Sequence, residues 1–187
     1  MSAPLARRAL AELVGTEFLV AAVVGSGIAA SRLSPDDVGL QLLENSLITG
    51  AVLIALILAL QPVSAAFNPV MTLVERAPGA ISTRDACVLL VAQFVGGAVG
   101  AVVANLMFDL EAVTIATHVR SGADLWLAEV VATLGLLLVI LGTVRSGRAE
   151  TVAFAVGGYP RPEQLDAELT APRPDTRPDS PEKEYSS

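Results

Sequence analysis

Few residues in this chain could do chemistry, and those few lie in apolar surroundings. They are an Asn68-Pro69 pair within the run Ser64-Ala65-Ala66-Phe67-Asn68-Pro69-Val70-Met71-Thr72-Leu73, and two glutamates, Glu12 and Glu129. Asn is a preferred N-cap and Pro a favoured first helical residue, so the pair predicts a helix starting at 68. Glu75, Arg76, Pro78 and Gly79 end it within a few turns. A short helix between two long apolar segments suggests a half-helix dipping into a bilayer. Non-helical backbone at that depth is tolerated only where protein buries it or where it lines a water-filled path. The chemistry on offer is therefore hydrogen bonding along a pore, with a side-chain amide presented at a helix end. Bond-making chemistry is not indicated. The chain has no His/Cys metal spacing, no nucleophile–base pair and no Gly-rich phosphate loop, so neither an enzyme nor a cofactor is expected. Ser64 and Thr72 read as backbone caps. His118 reads as a solvated loop residue. Cys87, the one cysteine, excludes an internal disulfide and reads as a small core residue.

The elements that would position these residues are membrane spans. The 187 residues are 53% hydrophobic, with a mean hydropathy of +0.61. The apolar residues gather in runs of about 20, the length that crosses ~30 Å of hydrocarbon. Spans are expected at 9–30, 42–60, 85–108 and 125–144, with the half-helix at 68–77 and a partial fifth span at 149–159. Glu12 and Glu17 interrupt the first run, so it does not read as a removable signal. Residues 160–187 carry six of the eleven prolines and, with four basic and seven acidic side chains, read as a disordered polar tail. The net charge of −7 includes no basic patch that would argue for nucleic acid. With the N-terminus cytoplasmic, Arg7, Arg8, Arg76, Arg84, Arg145 and Arg148 fall inside, and Arg32 and Arg120 outside. That bias predicts a multi-pass protein of the inner or plasma membrane with N-in orientation. Trp126 then sits at an interface.

The chain also repeats itself. Ala11-Glu12-Leu13-Val14-Gly15-Thr16 recurs 117 residues later as Ala128-Glu129-Val130-Val131-Ala132-Thr133. Both copies open a span, and the topology puts them on opposite sides of the membrane. That is an inverted-topology repeat, whose path usually lies at the repeat interface. A carboxylate at the start of an apolar helix is expensive unless it is paired or faces the bundle interior. Each glutamate is thus expected to accept hydrogen bonds from the N–H groups of a re-entrant loop. Glu17 lies about 140° around the helix from Glu12 and has no assigned role. Gly96 and Gly100 form a small-x-x-x-small pair suited to close helix packing.

Glu12 with Gly15-Thr16, the Asn68-Pro69 half-helix and the second Glu-x-x-x-Thr at 129–133 together resemble the aquaporin and aquaglyceroporin family, over about residues 8–159. The resemblance implies an all-α integral membrane fold built as an inverted repeat, a tetramer with one pore per subunit, and a bilayer and small neutral solutes as partners. It implies that Asn68 donates its amide to passing water or solute, that Pro69 and Val70 cap the pore end of the half-helix, and that carbonyls of residues 63–67 line a vestibule. The half-helix N-terminus would disfavour cations.

This chain departs from the family pattern. Val70 replaces the usual Ala of the Asn-Pro-Ala motif, and Ala66 stands where many members carry His. The span-2 filter position falls at Ile48 or Thr49, neither aromatic, which suits glycerol-like or neutral metalloid solutes. The repeat offset places the counterpart of Asn68 at Tyr185, in the polar tail, and no second Asn-Pro pair exists. The pattern reads as a bacterial member truncated or frameshifted after the start of the fifth span, with one re-entrant half-helix and an incomplete second repeat. The expectation is a passive water or small-solute channel. The alternatives are a non-conducting fragment or a helical membrane scaffold.

Overall fold

The computed structural model describes residues 3–113, 122–148 and 151–159. Their secondary structure is helical: α1 Leu5–Leu33, α2 Val38–Leu60, α3 Pro69–Arg76, α4 Thr83–Met107, α5 Ala123–Arg145 and α6 Val152–Gly157. The predictions for His118, for Arg120 and for the tail at 160–187 lie outside the described residues.

Four of these helices, α1, α2, α4 and α5, are long and apolar enough to cross a membrane. Their outward faces are apolar, as a bilayer requires. Phe18, Phe94 and Leu138 are 59%, 68% and 74% exposed, unfavourable against water and favourable against hydrocarbon. The helices begin where local chemistry supplies caps. Asp37 accepts from the Leu40 N–H at 2.9 Å, and Ser82 from the Asp85 N–H at 3.0 Å. Each satisfies an orphan donor of the first turn.

α1 is the centre of the packing and lies along both α4 and α2. The α1–α4 seam depends on small residues. A Cβ at Gly96 would strike the Leu13 carbonyl oxygen, and one at Gly100 the Glu17 carbonyl oxygen. The two backbones therefore touch, as close helix packing in lipid requires. Arg32 ties the far ends together: Nη2 donates to the Phe108 carbonyl at 2.8 Å, and the guanidinium sits 5.4 Å from the Phe108 ring centroid. Between α1 and α2, the Ser26 and Thr49 hydroxyls both reach Asn45 Oδ1, at 2.9 and 3.1 Å. α6 packs on α2 and α5, and buries Ala153 and Val156 against Ile57 and Phe67.

Cys87 corrects its expectation. It is exposed, because the inward face of α4 is set by Ala86, Leu89 and Gln93, and position 87 turns away from α1.

Candidate functional site

The site is built by α3, by the loop that feeds it, and by one carboxylate. Glu12 is fully buried. Its Oε1 accepts from the Ser64 hydroxyl at 2.5 Å and the Ala66 N–H at 2.9 Å. Its Oε2 accepts from the Phe67 N–H at 2.8 Å and Gln93 Nε2 at 2.9 Å. Four donors converge on one carboxylate, the charge-assisted arrangement that makes a buried charge tolerable. Gln93 Nε2 also donates to Thr72 Oγ1 at 3.0 Å, which joins α4 to the half-helix.

This anchoring bends the loop. Phe67 has φ of 46°, in the left-handed region that a bulky side chain rarely adopts. Such a conformation costs about 1–3 kcal/mol and persists where its surroundings determine it. Here the Phe67 N–H is held by Glu12, and the ring lies on Gly15, where any Cβ would overlap it. A trans peptide sets each N–H opposite the preceding carbonyl. With the Ala66 and Phe67 N–H groups turned to Glu12, the Ala65 and Ala66 carbonyls point away from it, and both residues line a cavity.

Asn68 follows as the N-cap of α3. Its Oδ1 accepts from the Val70 N–H at 2.8 Å, and Pro69 occupies the first turn. That bond fixes the amide: Oδ1 is occupied, and Nδ2 makes no hydrogen bond among the described residues. Asn68 lines a cavity of about 680 Å³. Loop residues 63–67 line it, together with apolar side chains such as Leu53, Ile57, Leu136 and Ile140. Arg8 and Glu75 line it too. The Glu75 carboxyl, outside the four spans, is held above its usual range by burial. Arg8 opposes that shift and the Glu12 charge adds to it.

The residues singled out from sequence fall into two groups. Glu12, Ala66, Asn68, Pro69 and Val70 come together around the half-helix, and Ala66 and Asn68 among them face the cavity. Ile48, Thr49 and Glu129 do not join them. Ile48 is 45% exposed, and Thr49 is buried with its hydroxyl on the Asn45 carbonyl at 2.8 Å. From α2 the cavity is lined instead by Leu53 and Ile57, one and two turns further on. Glu129 is exposed and accepts no hydrogen bond among the described residues, because no described loop brings donors to it. Sequence reasoning missed Gln93, Arg8 and Glu75 as parts of the site. It also read Ser64 as a backbone cap, whereas the hydroxyl donates to Glu12. A signal for Gln93 was available: an uncharged polar side chain within an apolar helix needs a partner inside the bundle.

Comparison with known proteins accords with this geometry. Residues 1–158 match the family described as Major intrinsic protein. Over 156 residues the chain is 45% identical to a protein named Aquaglyceroporin AqpS from Rhizobium meliloti (strain 1021), a match covering 83% of this chain and 66% of that protein. The chain thus spans just under two thirds of that relative's length. The match takes in every described helix, from α1 to α6, and with it the half-helix and its glutamate anchor. This multi-pass membrane protein belongs to the major intrinsic protein family.

Proposed function

We propose that the chain forms the Asn68-bearing wall of a passive path for water or small neutral solutes, glycerol-like or metalloid. One observation carries this reading: Asn68, whose Nδ2 makes no hydrogen bond among the described residues, lines a cavity that apolar side chains also line. A neutral polyol or water molecule can accept from Nδ2, donate to the loop carbonyls and lay its carbon face on the apolar side. Family membership supports a channel, and the relative's name, an aquaglyceroporin, supports a small uncharged solute. The reading is of transport, with Asn68 as the donor, Pro69 and Val70 holding its end of α3, and Glu12 holding the loop. Tetrameric assembly, by family likeness, and a cytoplasmic N-terminus, by the arginine bias, belong to the same proposal.

Osmotic shock of proteoliposomes, followed by stopped-flow light scattering with sucrose and then glycerol, tests it. Permeability should exceed that of empty vesicles. Asn68→Asp keeps the cap oxygen but replaces the amide donor by an anion, and should abolish the excess. A second reading has its own observation, that Glu129 accepts no hydrogen bond among the described residues: the chain is inserted but non-conducting. Permeability equal to empty vesicles, with insertion verified, would establish that reading and overturn the first.

A further inference from the structure

Arg8 entered the sequence reading as one of several charges marking the cytoplasmic side. Its surroundings give it a more particular position. It stands one turn before Glu12 on α1, lines the cavity, and has a side chain only 15% exposed. Its Nη2 lies 3.9 Å from Glu75 Oε2 on α3, and its Nη1 4.0 Å from Asp85 Oδ2 on α4. Glu75 belongs to the last turn of α3, where the helix dipole already places negative potential. Arg76, the other charge in that turn, is turned aside: its Nε donates to the Thr83 hydroxyl at 2.9 Å. Among the described residues, the guanidinium in ion-pair range of Glu75, which lines the cavity, and of Asp85 beside it is that of Arg8.

We propose that Arg8 is a specificity-determining residue of the cavity, whose charge offsets that of Glu75, with Asp85 behind it, so that this end of the cavity admits neutral solutes without concentrating cations. The proposal rests on reading this cavity as the solute path. An uncompensated carboxylate lining a cavity enriches cations locally. An arginine within ion-pair range of it offsets that field. α1 then serves both ends of the half-helix from one face: Glu12 at the loop feeding it, Arg8 at its final turn.

The test reads charge at the mouth and needs no flux. Met71 lines the cavity from α3, and Cys87 is the natural exposed thiol. In a Cys87→Ala, Met71→Cys protein in a non-ionic detergent, the labelling rates of cationic, anionic and neutral methanethiosulfonate reagents are compared. Arg8→Gln should raise the cationic-to-anionic rate ratio several-fold at low ionic strength, the order expected on losing one nearby unit of positive charge in water. Added salt should erase the change. Glu75→Gln should shift the ratio the other way, and Arg8→Lys should leave it near the starting value. The neutral reagent corrects for any widening of the entrance. An unchanged ratio in Arg8→Gln would overturn the proposal, whatever Glu75→Gln does. If Arg8→Gln fails to fold, Arg8→Met takes its place, with the same rise expected and an unchanged ratio overturning the proposal. A protein that labels as expected but passes no solute would refute the transport reading and leave the electrostatic assignment standing.

Discussion

The two copies of the Ala-Glu motif behave differently although their helices present them alike. Ala11 and Ala128 are both buried, 7% and 8% exposed, so each helix turns the same small residue inward. One residue further on, the copies part. Glu12 collects four donors, while Glu129 is exposed and has no hydrogen-bond partner among the described residues. The next turn parts as well: Gly15 lies under the Phe67 ring, whereas its counterpart Ala132 is buried and tolerates a methyl group. A local motif can decide which face a helix turns inward. Whether its charge is satisfied depends on a segment more than fifty residues away.

Truncating the two carboxylates breaks the comparison most sharply. Glu12→Ala orphans one buried and one part-buried backbone N–H group, at about 1–3 kcal/mol each at most, so roughly 2–6 kcal/mol of stability should be lost. Glu129→Ala removes no bond and should stay within about 0.5 kcal/mol. Reversible unfolding in mixed micelles measures both. Similar losses for the two would mean that Glu129 has a partner of equal worth.

A smaller contrast tests the glycine. Gly15→Ala drives a methyl group into the Phe67 ring and should cost about 1–3 kcal/mol by overpacking. Ala132→Gly meets no ring and should cost about 1–2 kcal/mol, through helix propensity and the loss of one buried methyl group. If Gly15→Ala proved neutral, the left-handed turn at Phe67 would not depend on that contact. The smallest effect belongs to the cap. Asn68→Ala should cost about 1 kcal/mol, and Asn68→Asp close to nothing in stability, since the accepting oxygen stays. The pair separates the amide's role in the path from its role in the fold.

The fold class was legible because hydrocarbon imposes a simple demand: runs of about 20 apolar residues can cross, and α1, α2, α4 and α5 are such runs. The half-helix was legible because Asn68-Pro69 is a start signal for local reasons. The other parts of the site are not local. Gln93 lies 81 residues from Glu12 and Arg8 far from Glu75, and no periodicity reports such a pairing. Ile48 and Thr49 show the same limit from the other side. Counting back from Asn68 finds the right helix, but the rotation of α2 about its axis is set by its contacts with α1 and α6, and it brings Leu53 and Ile57 to the cavity.

The distance in sequence between Glu12 and its partners has a consequence for synthesis. Translation proceeds at about 5–20 residues per second, so the 81 residues separating Glu12 from Gln93 take roughly 4–16 s to make. Throughout that interval α1 exists, its carboxylate exists, and the complete set of donors does not. An isolated α1 released into lipid would carry an uncompensated charge near its end. Membrane insertion of this chain should therefore be delayed or reversible at its first helix. α1 would wait beside the insertion machinery, or near the membrane surface, until α4 arrives and the loop before α3 closes onto Glu12. The residue that holds the finished half-helix in place would also set the order in which the helices enter the bilayer.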